Sequence, residues 1–201
     1  MKALTIPTLI ITAWIASGCA LTNKNVDFVY TPSGANPIAE LAPLTIALEV
    51  TDSLPVTDPP NRMGDVKNTY GMVMASVVAV NPVRDEVRDA IAAELAHCGH
   101  MVVNAGDKAD TVINVDIRTI SMDTAVHFWD VEVIGNMGSE VKAESVEFQL
   151  EATSRISTQA VTQKSFETVG NALLAEYVRS LFLEPRFLDA LKNVSQTPRD
   201  A

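Results

Sequence analysis

The feature that most constrains the fold is the order in which two hydrophobic periodicities follow each other. Within residues 44–154, several segments repeat an apolar side chain at every second position, which is typical of strands buried on one face. Two other segments, 82–98 and 170–183, repeat apolar residues at the spacing of an amphipathic helix. Because strands and helices follow in this order, we predict an α+β domain with a mixed, mostly antiparallel sheet and two main helices packed on one face.

The predicted strands are bounded by turns and loops that are rich in proline, glycine and asparagine. They cover 26–30, 44–51, two arms of a hairpin within 64–80, 100–104, 111–121 and 144–154, with a returning antiparallel strand at 158–168. Residues 126–134 are expected to be extended and 135–139 to form a glycine-rich turn. Prolines at 55, 59 and 60 predict a loop over 52–62, because proline offers no backbone donor to a sheet.

The first helix has the clearest boundaries in the chain. Asn81 is the expected N-cap, Pro82 suits the first helical position, and Gly99 suits a left-handed residue after the helix. Cys98 continues the apolar stripe, so we expect its thiol to be buried. The second helix should lie beside the first, and a short helix should cover residues 185–192.

The first 18 residues have the pattern of a secretory signal peptide. Lys2 supplies a positive start, residues 3–15 are apolar, and the small residues Ala16, Ser17 and Gly18 stand before Cys19. The apolar run falls short of the roughly 20 residues that a membrane span needs. An ordinary secretory signal and an uncleaved span are the alternatives.

The four residues from Ala16 to Cys19 resemble the bacterial lipobox, with Ala16 standing where leucine is commonest. The resemblance implies cleavage between Gly18 and Cys19, and acylation of Cys19 with fatty acids such as palmitate, which would hold the chain on a membrane. Ala20 favours the outer membrane, because an aspartate there would signal retention in the inner membrane. We therefore predict a signal peptide at 1–18, a lipidated tether at 19–25, a single α+β domain at 26–194 and a frayed C-terminus at 195–201.

The mature chain is strongly acidic. Without residues 1–18 it has 183 residues, 14 basic and 25 acidic side chains, and a net charge of −11. This charge argues against nucleic acids and anionic head groups as partners, because both require basic patches. Once Cys19 is acylated, Cys98 is the only thiol left, so we expect no intramolecular disulfide.

Common catalytic motifs are absent from the chain, including the dinucleotide-binding glycine loop, the P-loop, the H-E-x-x-H pair and the G-x-S-x-G elbow. We therefore expect no enzymatic activity and no cofactor, and no small-molecule substrate is evident. The nearest group of metal ligands is His97, Cys98 and His100, but helix geometry does not make them converge. Trp129 is interpreted as a core aromatic, with an exposed anchor for a partner as the alternative.

Four stretches of the chain resemble the YajG-like lipoprotein family of Gram-negative bacteria. They are Cys19-Ala20-Leu21, Tyr30-Thr31-Pro32, residues 63–71, and the unit in which the first helix is followed by Gly99-His100-Met101-Val102. The resemblance covers nearly all of the mature chain, and it departs at the proline-rich loop and at 126–143. It implies an outer-membrane lipoprotein facing the periplasm, in a family whose biochemical role is poorly defined.

The sheet face opposite the helices is the predicted contact surface for a partner. By alternation it carries polar and mostly acidic side chains, namely Glu49, Asn114, Asp116, Arg118, Glu147, Gln149 and Glu151. We predict a non-enzymatic, lipid-anchored domain that uses this face to bind or position another envelope protein. The alternatives are an auxiliary lipoprotein subunit of a lipid or lipopolysaccharide transport system, and an envelope enzyme that uses an unrecognised site.

Overall fold

The computed structural model describes residues 22–33, 36–127 and 129–197, so the predicted signal peptide, Gly18 and Cys19 lie outside the described residues. Within these ranges the chain forms eight strands and three α-helices, which confirms the predicted α+β class. The strands are β1 Lys24–Val26, β2 Thr45–Asp52, β3 Arg62–Lys67, β4 Val73–Ala79, β5 Met101–Val103, β6 Thr111–Val126, β7 Val131–Ala143 and β8 Val146–Thr158. The helices are α1 Val83–His97, α2 Gln163–Leu183 and α3 Pro185–Gln196.

The strands of the described chain form two sheets instead of a single one. The larger sheet has the order β5-β2-β6-β7-β8, and the smaller has the order β1-β4-β3. Strand β2 runs parallel to β5 and β6, and β1 runs parallel to β4, whereas the long pairs β6-β7 and β7-β8 are antiparallel. The pairing of β2 with β6 ends opposite Ile117, and β3 lies against the remaining half of β6, where the Lys67 N–H donates to the Thr124 hydroxyl at 3.1 Å.

The core lies between the larger sheet and the helices. Helix α1 packs on β2, α2 packs on β7 and β8, and the two helices contact each other as predicted. The inward side chains of the first half of β6, Ile113, Val115 and Ile117, are almost completely buried. The Tyr177 hydroxyl on α2 meets the Ser139 hydroxyl on β7 at 2.6 Å, so the one polar group of this large side chain is satisfied inside the core.

Strand β7 replaces the glycine-rich turn predicted at 135–139, and that prediction is wrong. The residues alternate between the two faces, and Gly135 lies on the inner face against Val169 and Leu173 of α2. The reversal occurs instead at Glu144 and Ser145, where Glu144 adopts a positive φ of 52°. The period of two in the hydrophobicity of β7 was concealed for two reasons. Gly135 on the inner face and Gly138 on the outer face have no side chain, and the apolar Ile134 points outward.

The prediction of a returning strand at 158–168 is also wrong, because this segment contains the start of α2. The Thr162 side chain accepts a hydrogen bond from the Ser165 N–H, and the Ser165 hydroxyl accepts one from the Thr162 N–H. These two bonds form a capping box, which satisfies donors that the first helical turn leaves unpaired. Helix α2 therefore begins at Gln163, seven residues before the predicted start at Gly170.

The N-terminal segment is integrated into the fold earlier than the predicted tether at 19–25 allows. Strand β1 covers Lys24–Val26, and the Asn23 side chain accepts from the Ser76 N–H at 3.2 Å. A strand was predicted at 26–30, but the observed strand β1 ends at Val26, because the following residues run along α2. There the Val29 N–H donates to the Asn171 amide oxygen at 2.8 Å.

The ends of α1 confirm one expectation and correct another. Gly99 follows the helix with a φ of +88°, as its predicted left-handed position requires. Pro82, and not Asn81, is the N-cap, and the Asn81 amide instead donates to the Glu86 carboxylate at 2.7 Å. Cys98 is only half-buried. The C-terminal helix α3 is longer than predicted and includes residues 195 and 196, which were expected to be frayed.

Candidate functional site

The face of the larger sheet opposite the helices is a polar surface that we call the open face. Strand register places Glu49, Asn114, Lys142 and Glu147 in one row across four strands, and Thr51, Asp116, Glu140 and Gln149 in the next. All seven residues predicted for the partner surface lie here. The open face comprises Glu49, Asn114, Asp116, Arg118, Glu140, Lys142, Glu147, Gln149 and Glu151.

A chain of ion pairs runs across the open face from β6 to β8. The Arg118 guanidinium lies 3.0 Å from both the Asp116 and the Glu140 carboxylates. The Lys142 ammonium continues the chain, at 3.2 Å from Glu140 and 3.3 Å from Glu147. The pairs Arg118–Glu140 and Lys142–Glu147 link neighbouring strands, and the other two join residues of the same strand, so the charged side chains are held together on the surface.

The same contacts keep these groups charged. The hydrogen bond from Lys142 is the main cause that holds the pKa of Glu140 below its usual value, and Arg118 adds to it. In turn, the Glu140 and Glu147 carboxylates raise the pKa of Lys142. The Ser53 hydroxyl donates to the Asp116 carboxylate at 2.9 Å, which fixes a further acceptor at the end of the chain.

The open face has an excess of negative charge. Five of its side chains are carboxylates and two are cations, which leaves a net charge of −3. A depression of about 260 Å³ lies where β2, β6 and β7 meet, and its lining includes Glu49, Asn114, Asp116, Glu140 and Lys142. Carboxylate and amide oxygens are prominent in the lining, so the arrangement is suited to accepting hydrogen bonds and positive charge.

Glu140 and Lys142 are the two open-face residues that sequence reasoning missed. Both lie on β7, in the segment next to the predicted glycine-rich turn. The alternation of Val133, Met137 and Val141 on the inner face was the available signal, because it places 140 and 142 outward.

The candidate metal ligands at the end of α1 do not form a site. His100 is buried, its Nδ1 accepts from the Leu44 N–H at 3.2 Å, and its Nε2 lies 3.1 Å from the Ile38 carbonyl. Both ring nitrogens therefore have structural partners, and the side chain joins the residue before β2 to the 3-10 turn at Pro37–Glu40. Burial, and then the charge of Glu94, raise the pKa of the Cys98 thiol. The described residues contain no group of three metal-ligating side chains.

Glu94 on α1 is a buried carboxylate that holds the segment after β1 against the helix. Its two oxygens accept from the Tyr30 hydroxyl at 2.7 Å, the Ser33 N–H at 3.0 Å and the Ser33 hydroxyl at 3.1 Å. Burial alone would raise the pKa of Glu94, but these bonds together with one from Asn36 outweigh it and lower that pKa. The folded state therefore favours the ionised form.

We expect Glu94→Gln to lower the free energy of unfolding at pH 7 by about 2 kcal/mol, because an amide donor would replace one acceptor oxygen. A folded-state pKa below the unfolded value means that the stabilisation by wild-type Glu94 is complete above its ordinary pKa, near 4.5. It is lost as the pH falls through the lower, folded pKa. Urea titrations at several pH values should show the two proteins converging in stability in acid, whereas a constant difference would contradict the prediction.

The interpretation of Trp129 as a core aromatic is wrong. This side chain is 84% exposed in the turn between β6 and β7, and Tyr70 in the turn between β3 and β4 is 86% exposed. The neighbouring Phe128 lies outside the described residues. Among the described helices, none combines the length and hydrophobicity needed to cross a membrane.

Comparison with one solved structure supports the fold. The chain is similar to a Xanthomonas campestris protein of the DUF330 family, with a TM-score of 0.58 and 14% identity, over 87% of this chain and 99% of that one. A second similarity, to the Neisseria meningitidis lipoprotein GNA1162, has a TM-score of 0.31 and 12% identity, over 66% of this chain and 96% of that one. No family model and no curated protein sequence matches the chain, so the resemblance to the YajG-like family stays a prediction.

Proposed function

We propose that the protein is a non-enzymatic lipoprotein, anchored through Cys19 at the periplasmic face of the outer membrane, that docks another envelope protein on its open face. The observation that carries the proposal is the ion-pair chain from Asp116 to Glu147 on a sheet face that no described helix covers. Such an arrangement presents fixed charges to a partner. Electrostatic complementarity of this kind selects partners and orients them.

The charge of the open face favours a protein partner over a lipid. Burying acyl chains against the unpaired Glu151 or Glu49 carboxylates would cost several kcal/mol for each charge. A partner with basic or amide side chains would instead supply donors to these acceptors. Strand β8 adds a second means of contact, because it lies at the edge of the sheet and can accept an added strand.

The proposal is tested by crosslinking the anchored protein in envelope preparations and comparing two variants. We expect Glu147→Lys/Glu151→Lys on the open face to reduce capture of the partner about tenfold, because the charge reversal repels basic groups. The matched control Asp89→Lys/Asp189→Lys reverses two exposed charges on α1 and α3, and it should leave capture unchanged.

Capture by the wild type should also weaken as the salt concentration rises, because salt screens exposed charges. Equal capture by the two variants, or capture that salt does not affect, would rule out the open face as the docking surface.

A second candidate function is the auxiliary subunit of a lipid transport system. It is favoured by a mostly apolar groove of about 310 Å³ between α2 and the segment that Glu94 holds. Ala175, Val178 and Phe182 contribute to the lining of this groove. Stoichiometric phospholipid retained by protein lacking residues 1–19 would place this function first.

A further inference from the structure

Three parts of the chain meet at one end of the domain, which we call the anchor end. Strand β1 runs parallel to β4, so the N-terminal entry of the chain lies on the same side as the turn between β3 and β4 at residues 68–72. Strand β3 follows the second half of β6, where Lys67 contacts Asp123 and Thr124. The turn between β6 and β7 at residues 127–130 therefore lies at this end as well.

The predicted lipid attachment point cannot lie far from the anchor end. Asn23 is fixed by its bond to Ser76, and the described chain begins at Thr22. Three peptide links separate Thr22 from Cys19, and in any conformation they span at most about 11 Å. A lipid on Cys19 would thus hold this end of the domain close to the membrane surface.

Exposed apolar and aromatic side chains are present at the same end. In the turn between β3 and β4 and the residues after it, Tyr70, Met72 and Val73 are 86%, 57% and 55% exposed, and Trp129 occupies the other turn. Elsewhere in the described chain, none of the other large exposed hydrophobic side chains is aromatic. Tryptophan and tyrosine prefer the boundary between acyl chains and head groups, because one part of the ring system is apolar and the other forms hydrogen bonds.

We propose that the anchor end contacts the bilayer that carries the lipid anchor, with Trp129, Tyr70 and Met72 at the membrane interface. This inference rests on the anchoring at Cys19 proposed above. The lipid supplies the main attachment. Because the tether keeps the domain at the membrane, contact between the bilayer and the two turns becomes an intramolecular event. The domain would then have a defined orientation on the membrane instead of turning freely about its tether.

The native chain carries its own probe for this contact. Its tryptophans are Trp14 and Trp129, so the processed protein retains only Trp129. We would reconstitute the processed full-length lipoprotein in vesicles of phosphatidylethanolamine and phosphatidylglycerol, with and without lipids brominated near the top of their acyl chains. The Trp129 emission should shift to the blue, and brominated lipid should reduce it at least about twofold, because interfacial tryptophans lie at that depth.

Two variants test whether the turn residues cause the contact. Tyr70→Ser/Met72→Ser should remove most of the quenching, whereas the control Val56→Ser, at a fully exposed side chain in the loop at the other end of β3, should leave it unchanged. Thermal unfolding of both variants by circular dichroism establishes that they fold. Protein that is acylated and floats with the vesicles but is not quenched would overturn the inference and leave the anchored function intact. Absence of acylation would overturn both.

Discussion

The Cys19→Ala variant should accumulate at the inner membrane as an unprocessed precursor with no lipid attached. The physical reason is that, in the proposed processing, the diacylglyceryl group would be joined to the Cys19 sulfur by a thioether, and the cleavage after Gly18 would depend on that modification. Two or more acyl chains bind a membrane stably where one does not, so loss of the sulfur removes the whole anchor. Mass spectrometry of envelope fractions should find acylated residue 19 at the N-terminus of the wild type and not in Cys19→Ala.

Cys98→Ala is the matched control for this experiment, because it removes the other cysteine of the chain. It should be processed and acylated like the wild type. An intact Met1 on the mature wild-type protein would contradict the prediction of a lipoprotein signal, and with it the proposed anchoring.

The second large effect is expected for Gly64→Ala, in the strand that lies against β6. A Cβ atom at Gly64 would stand 1.9 Å from the Met122 carbonyl oxygen and 2.7 Å from the Met122 carbonyl carbon. Both atoms belong to the backbone of a central strand, so a side-chain rotation cannot relieve the clash. We expect the free energy of unfolding to fall by about 3 kcal/mol or more, because the two strands must move apart.

Gly138→Ala provides a comparison within β7. Its Cβ would meet the Thr119 hydroxyl at 2.6 Å, which is the end of a side chain that can rotate away. Urea unfolding should therefore show a much smaller loss of stability for Gly138→Ala than for Gly64→Ala. Similar unfolding midpoints for the two variants would show that β3 and β6 can separate at little cost.

The parts of the fold that were predicted correctly have one hydrophobic period and clear ends. Strand β2, with Ile46 and Leu48 buried, and helix α1, which is followed by Gly99, are of this kind. The open face was predictable for the same reason. When helices cover one side of the sheet, the side chains on the other side, here those of Glu49, Asp116 and Glu147, are left exposed to solvent. Its ion-pair chain was not predictable, because it depends on the register of β7.

The errors arose where tertiary contacts or capping decide the structure. Gly135 was interpreted as a turn residue, but it lies beneath α2, where a Cβ atom would stand only 3.0 Å from the Val169 side chain and 3.2 Å from the Leu173 side chain. Residues 158–168 lack the apolar stripe of a helix at their start, and only the bonds between Thr162 and Ser165 mark where α2 begins. Likewise, Asp27 to Tyr30 have the composition of a strand, but the side chain of Asn171 takes the backbone donor that a neighbouring strand would have used.

The contacts of β6 with both sheets affect how the domain unfolds. Its register shifts between Ile117 and Thr119, so its first half is paired with β2 and its second half lies against β3 of the smaller sheet. Met122 is completely buried in the same hydrophobic cluster as Ile113, on the other side of the shift. Neither sheet can therefore lose its structure while the other keeps a complete core, and the domain should behave as one cooperative unit.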